Sequence, residues 1–331
     1  MIKNGVLRLK KLNLYSRFRN SSLTSFIRLS LLFVFLITFS ACKSIPAGNE
    51  VSAIELLDNE SSFYIAIPQA VDYDLIVRVI QNNVSLSQSD AKLLADRISK
   101  VYCGLNKTKN HTEIQVALDG SIPQKYIASS LKPKNGWTVE KYSPEKSLNV
   151  YPLYTYDTMT FAFPSESVAC LGRDVKKMVD TYDKLFTMLP SEVIENMSGD
   201  ETFTDSNDSS SLSSSSSLSP QLYNFLDSAK DEIRFCANKP QSFLTLLTGA
   251  QLDLKLIDVY GSFVPDPNFD TQYLLNFTFN FKNETYMKAG KTLLTLAFGL
   301  TNAQSLVVGQ NTLQINGIKI DKKQLYKLLV I

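Results

Sequence analysis

The sequence contains a single histidine, His111, which stands in the polar segment Lys107–Thr112. A histidine that acts as a general base needs a nucleophile and a carboxylate beside it, whereas this local sequence is typical of a solvated turn. Zinc sites need three or four closely spaced ligands, and Cys103, Cys170 and Cys236 lie more than sixty residues apart. The scarcity of histidine therefore argues against histidine-based catalysis and against a zinc site.

The familiar signatures of nucleotide binding and hydrolysis are also missing. The chain contains no GxGxxG, no GxxxxGK[ST] and no GxSxG motif. The segment Asp266–Asp270 offers two carboxylates and an amide, which is fewer oxygen ligands than a calcium loop supplies. We therefore expect no catalytic residues, no cofactor and no metal, and a hairpin turn at Asp266–Asp270.

Long hydrophobic runs are absent too, apart from one short run near the N-terminus. Residues 1–28 carry seven basic side chains and no carboxylate, and the thirteen residues Leu29–Ala41 carry no charge. This run falls short of the ~20 residues that a bilayer-spanning helix requires. A basic segment followed by a short apolar run is typical of an export signal, which we assign to residues 1–41.

The residues that end this run, Phe39-Ser40-Ala41-Cys42, resemble the lipobox of bacterial lipoproteins. The resemblance implies cleavage before Cys42 and attachment of a diacylglycerol to its thiol, so that acyl chains hold the mature protein in membrane lipid. Phe39 departs from the usual aliphatic residue at that position, as in the relaxed lipoboxes of spirochaete lipoproteins. Two alternatives stay open, namely an ordinary signal peptide cut after Ala41 and an uncleaved N-terminal anchor.

Removal of this leader changes the charge of the protein. The full chain has 34 basic and 32 acidic residues, but the seven leader charges leave the mature chain with 27 basic residues and a net charge of −5. Nucleic-acid binding depends on clustered lysine and arginine that displace counterions from phosphates. A mildly acidic exported chain is a poor candidate, so we expect no nucleic-acid partner.

Only three cysteines remain if Cys42 is acylated. Cys103, Cys170 and Cys236 each stand in an apolar, strand-like setting, and an odd number cannot all pair within one chain. Unpaired cysteine is among the most buried residue types. We therefore expect small core residues without a redox role, with one disulfide between two of them still open.

A serine-rich stretch divides the mature chain. Ten of the sixteen residues in Asp205–Pro220 are serine, and so few apolar side chains cannot offset the entropy of ordering the segment. The predicted organisation is therefore a lipidated cysteine and tether at residues 42–62, a first domain at 63–197, a linker at 198–220 and a second domain at 221–331.

The patterns on either side of the linker predict an α+β fold. Phe63–Pro68 is predicted to be an apolar strand, followed by a helical pattern that starts at Asp72, and residues Ile233–Pro240 are predicted to be a strand followed by a short helix. Residues Leu275–Phe281 alternate between apolar and polar side chains, as in an antiparallel strand with one buried face. We expect two similar segments, each a mainly antiparallel sheet covered by helices, and the similarity suggests a duplication.

These observations favour an envelope lipoprotein with a non-catalytic binding or structural role. Its partners would be membrane lipid, through Cys42, and an envelope protein, peptide or glycan; the leaflet that carries the anchor is open. A cluster of Tyr142, Tyr151, Tyr154 and Tyr156 suits either a peptide or glycan surface or simple hairpin packing. Two rivals are a hydrolase that uses paired carboxylates and a chaperone-like assembly factor with an apolar groove.

Intact-mass measurement of the protein extracted from its membrane tests the lipobox. We expect a mature chain that begins at Cys42 and carries acyl mass, and we expect that mass to be lost in a Cys42→Ala variant. An unmodified chain, or one cut at another residue, would contradict the assignment and return Cys42 to the cysteines able to form a disulfide.

Overall fold

The computed structural model describes residues 49–84, 87–107, 112–172, 175–188, 217–241, 243–244, 254–297, 304–307 and 309–329. The strands are β1 (Phe63–Pro68), β2 (Ile98–Lys107), β3 (Thr112–Gly120), β4 (Thr138–Tyr142), β5 (Tyr151–Tyr156), β6 (Met159–Ala162), β7 (Val168–Gly172), β8 (Ile233–Ala237), β9 (Leu256–Pro265), β10 (Gln272–Phe281), β11 (Gln304–Val307) and β12 (Thr312–Asp321). The α helices with described bounds are α1 (Tyr73–Val84), α2 (Gln88–Ala95), α3 (Gln124–Ser130), α4 (Lys176–Thr187), α5 (Pro220–Asp227), α6 (Glu284–Ala297) and α7 (Lys322–Leu329), and Ala53–Leu56 and Pro133–Asn135 are 3₁₀ helices.

One antiparallel sheet contains these twelve strands, in the order β11-β12-β10-β9-β8-β1-β2-β3-β7-β6-β5-β4. The α+β class predicted from the sequence is confirmed. The two segments of the chain do not close separate sheets, because β1 and β8 pair at the centre, with Phe63 opposite Ala237. Both strands are almost wholly buried, so their backbone groups need a hydrogen-bonded neighbour at each edge.

Local signals explain where several elements begin. An oxygen of Asp72 accepts a hydrogen bond from the Leu75 amide at 2.9 Å, and the Ser87 hydroxyl accepts one from the Asp90 amide at 3.2 Å, so these residues cap α1 and α2. The alternation predicted for β10 is confirmed, since every second side chain from Tyr273 to Phe281 is buried.

Two layers of apolar side chains lie on the two faces of the sheet. On the first face, α1, α2, α6 and α7 pack against strands from both halves of the chain, around the rings of Phe235, Phe243 and Phe277. On the second face, the 3₁₀ helix Ala53–Leu56, α4 and α5 pack against β1, β2 and β7. Burial of these apolar surfaces from water is the main force that holds the helices on the sheet.

The folded body extends further toward both predicted flexible segments than the sequence indicated. Residues 49–62 were assigned to the tether, yet Ala53, Ile54 and Leu56 are buried against the sheet. At the end of the serine-rich stretch, Leu218 is buried and Ser219 caps α5. Periodicity predicts neither contribution, because each of these stretches has too few apolar residues to show a period.

Three carboxylates lie where the 3₁₀ helix and α5 meet the sheet. Glu55 accepts a hydrogen bond from the Ser52 amide at 3.0 Å, Asp119 accepts one from the Ala53 amide at 2.9 Å, and Asp227 accepts one from the Tyr102 hydroxyl at 2.8 Å. Burial raises the pKa of Glu55 and of Asp119, and the neighbouring carboxylate charges raise both further. The cluster therefore favours protonation of these two groups in the folded protein.

Cys103, Cys170 and Cys236 are buried free thiols, and no disulfide joins them. Burial raises the pKa of each thiol to about 12. They therefore stay protonated at neutral pH and serve as small core residues.

Asp72 joins three elements that are far apart in the sequence. Besides capping α1, its carboxylate accepts hydrogen bonds from the hydroxyl of Tyr273 on β10 and, at 3.0 Å, from that of Tyr326 on α7. The Tyr273 side chain is buried. This burial, and next the hydrogen bond to the Asp72 carboxylate, raise the pKa of Tyr273 well above the ordinary tyrosine value. The phenol protons therefore stay in place to pair with the carboxylate.

Replacement of this carboxylate should lower the stability of the protein. We expect Asp72→Ala to reduce the free energy of unfolding by about 3 kcal/mol, because it removes a helix cap and leaves the buried hydroxyl of Tyr273 and the partly buried hydroxyl of Tyr326 without their acceptor. Urea unfolding measures the change. Asp74→Ala is the matched control, since Asp74 is exposed in the same helical turn, and it should shift stability by less than about 0.5 kcal/mol. Equal effects would contradict the role of Asp72.

The carboxylate cluster predicts a pH dependence of stability. The pKa of Glu55 is higher in the folded protein than in the unfolded chain, so between these two pKa values the folded state binds more protons. The free energy of unfolding therefore falls as pH rises from about 4.5. Glu55→Gln keeps an oxygen that accepts from Ser52 but cannot ionise, so we expect a shallower fall. Unfolding curves between pH 4 and pH 7 measure this slope; an unchanged slope would show that Glu55 does not contribute.

Candidate ligand-binding cavity

Several residues singled out from the sequence lie outside the described residues. Cys42, the predicted lipidation site, is one of them, as are His111 and most of the serine-rich stretch. Their assignments stay predictions. The described residues do include the tyrosine cluster, the Asp266–Asp270 segment and the acidic side chains that a carboxylate-based enzyme would need.

The four clustered tyrosines do not form one binding surface. The Tyr151 hydroxyl donates to Asp183 at 2.7 Å on the second face of the sheet, whereas the Tyr154 ring packs against Phe163 in the core of the first face. Tyr142 donates to Asp180 at 2.7 Å. These side chains fasten the β4–β5 hairpin to its neighbours.

The acidic residues are engaged in local structure. Asp266 accepts a hydrogen bond from the Asn268 amide at 2.8 Å, which closes the predicted hairpin turn between β9 and β10. Glu55, Asp119 and Asp227 hold backbone and hydroxyl groups at the ends of helices, as described above. Within the described part of the chain, no three histidine, cysteine or acidic side chains are grouped so that they could hold a metal ion.

A cavity of about 30 Å³ lies between the first face of the sheet and helices α1 and α2. Every residue that lines it is apolar: Ile67, Ile76, Val79, Ile80, Leu94, Val101, Val116, Leu118, Phe161 and Leu171. With no hydrogen-bonding side chain in its wall, such a space is suited to an apolar group and not to water.

Helical spacing and strand alternation together produce this lining. Ile76, Val79 and Ile80 recur at the three- and four-residue intervals that place side chains on one face of α1. Val116 and Leu118 are two residues apart on β3 and therefore point to the same side of the sheet. Val79 and Leu94 are only half-buried, so the cavity lies closest to solvent between α1 and α2.

Sequence reasoning found the apolar faces that make the cavity but not the cavity itself. Spacing states which side chains face the sheet, and it does not state whether they fill the space between helix and sheet. The shape of that space depends on strands from separate parts of the first segment, which meet only in the folded chain.

None of the helices in the described part of the chain combines the length and the hydropathy needed to cross a bilayer.

Comparison with known proteins relates this fold to a lipoprotein. A family model described as "Outer membrane-associated lipoprotein TP0453" matches residues 48–326. No curated protein matches the chain.

Solved structures of TP0453 share the architecture. Crystal form I aligns with a TM-score of 0.59 and 16% sequence identity over 86% of this chain and 98% of that chain. Crystal form III aligns with a TM-score of 0.57 and 17% identity over 85% and 98% of the two chains. At these identities the likeness establishes the fold alone.

The family match covers the mature domain, for which the sequence patterns indicated no family. It agrees with the predicted export of the chain, and the predicted location in the cell envelope is confirmed. This chain belongs to the family of outer membrane-associated lipoproteins that includes TP0453.

Proposed function

We propose that this chain is a non-catalytic lipoprotein, anchored through acylated Cys42, that binds the apolar part of a lipid-like ligand beneath α1 and α2. The observation that carries the proposal is the wholly apolar lining of the cavity. Binding there would be driven by removal of apolar surface from water and by dispersion contacts.

The chemistry of the lining selects the class of ligand. A site that distinguishes sugars, peptides or nucleotides needs a few convergent polar groups to orient them. The cavity wall offers none, so it favours a hydrocarbon group such as an acyl chain. Its volume of about 30 Å³ admits the end of such a chain, and a longer segment requires α1 and α2 to move away from the sheet.

The Cys42 anchor is supported by the leader sequence and agrees with the family of the chain. Each buried methylene stabilises membrane attachment by ~0.8 kcal/mol, so two or three acyl chains hold a protein permanently. A permanently attached protein meets acyl chains at high local concentration, which suits a site of modest affinity.

A non-catalytic role is supported by the use that the fold makes of its acidic residues. Asp119 and Asp227 accept hydrogen bonds that hold helices on the sheet, and Glu55 accepts one that caps its own 3₁₀ helix. A glycosidase needs two carboxyl groups that face a substrate across an open cleft. The apolar cavity lies on the other face of the sheet from these three residues.

Binding of a fluorescent eighteen-carbon fatty acid tests the proposal. The Cys42→Ala chain is used so that its own acyl chains do not compete with the probe. We expect saturable binding that an unlabelled fatty acid displaces and glycerol phosphate does not. In the Val79→Phe variant the larger ring enters the cavity and takes space from the ligand. We expect binding at least tenfold weaker, which corresponds to a loss of about 1.4 kcal/mol of binding free energy.

Val264→Phe is the matched control, since Val264 is a half-buried valine on β9 and is not part of the cavity wall. We expect its affinity to equal that of the unsubstituted chain. Binding that does not saturate, or an equal loss in both variants, would show that the cavity does not hold the fatty acid.

A further inference from the structure

The C-terminal end of α4 brings together the point where the tether enters the fold and an exposed apolar loop. The tether enters at Asn49, and the loop, which we call the β4–β5 loop, comprises residues 143–150. These two segments are almost a hundred residues apart in sequence, and each is fastened to α4 by its own hydrogen bonds.

Asn49 caps the end of α4. Its side-chain amide donates to the carbonyl oxygens of Leu185 at 3.1 Å and Met188 at 2.7 Å, and its backbone amide donates to that of Phe186 at 3.3 Å. These are carbonyl groups that a helix leaves without partners at its C-terminus. The start of the folded body is therefore fixed at this helix end.

The chain length between Cys42 and Asn49 limits the distance of this end from the membrane. Asn49 is seven positions after Cys42, and a fully extended segment of seven residues spans at most about 25 Å. Once Cys42 is anchored, the end of α4 therefore stays within about 25 Å of the lipid surface.

Contacts along α4 direct the β4–β5 loop toward the same end. Glu140 pairs with Lys176 at 3.1 Å in the first turn, and further along the helix both Asn149 and Tyr151 donate to Asp183 at 2.7 Å. Asp183 precedes Met188 by five residues, which is about 7.5 Å of helical rise. The loop thus reaches α4 close to the point where the tether enters.

The loop holds two apolar side chains in solvent. Leu148 is fully exposed and Val150 is 58% exposed. The backbone between them and β4 is ordered by hydrogen bonds, including those from the Ser147 amide to the Pro144 carbonyl at 3.1 Å and from the Ser143 hydroxyl to the Asn149 carbonyl at 3.0 Å. A fastened loop cannot fold these side chains back into the core.

We propose that Leu148 and Val150 are the contact between the folded body and the lipid surface in which Cys42 is anchored. The anchor keeps the loop close to the bilayer and so gives it a high effective concentration at the lipid surface. Even a weak apolar contact is then populated, as for any second contact within a tethered molecule. The exposed charges beside it, Lys141, Glu145 and Lys146, sum to one positive charge and suit the headgroup region. This inference rests on the acylation of Cys42 in the proposed function and not on the cavity.

Depth-dependent quenching of tryptophan fluorescence tests the contact. The acylated full chain carrying Leu148→Trp is reconstituted into phosphatidylcholine vesicles whose acyl chains bear bromine, a short-range quencher. The native Trp137 is 6% exposed and packed against Phe161, so it supplies a constant background. We expect bromine to quench at least half of the emission added by Leu148→Trp.

Tyr286→Trp is the matched control. Tyr286 is 40% exposed at the start of α6, just after β10 ends. Strand register across the sheet puts the end of β10 at the opposite end of the strands from the start of β5. We expect no quenching of its added emission.

Four results would overturn the proposal. The first two are absence of quenching at position 148 and equal quenching at positions 148 and 286. The third is a position-148 emission that changes with protein concentration, which would assign the loop to a contact with a second copy of the chain. The fourth is a chain without acyl mass on Cys42. Failure of fatty-acid binding in the Cys42→Ala chain would instead remove the ligand assigned to the cavity and leave this contact standing.

Discussion

The antiparallel pairing of β1 with β8 is the contact on which the rest of the structure depends. It joins Phe63–Ala66 to Arg234–Ala237, which come from the two halves of the chain. Without this pair, each half would expose the edge of a strand that is otherwise buried on both faces. With it, the strands of each half extend outward in turn, and the helices of both halves can cover a common face.

The two faces of the sheet carry different features. The first face, under α1 and α2, contains the apolar cavity to which we assign a lipid-like ligand. The second face carries α4, which fastens both the tether and the β4–β5 loop. Because the sheet separates them, the ligand site and the proposed membrane contact are independent in structure, and a change in one does not require a change in the other.

Buried polar groups mark the places where helices meet the sheet. Asp72 joins the start of α1 and the middle of α7 to β10, Asp119 and Asp227 hold the 3₁₀ helix and α5 on the sheet, and Glu55 caps the 3₁₀ helix. A buried carboxylate is costly unless hydrogen bonds compensate for the lost water. Each of these groups has such partners, so they position elements precisely enough for apolar packing to follow.

The sequence by itself determined the elements with strong local signals, such as the alternation in β10 and the start of α1 at Asp72, together with the α+β class and the location in the cell envelope. Such signals depend on neighbours a few residues away. Only the tertiary structure decided that the halves share one sheet, that Asn49 closes α4, and where an apolar cavity remains. The first two features arise from contacts across more than a hundred residues, and the cavity arises where separate strands and helices of the first segment meet; local periodicity carries no information about which distant faces meet.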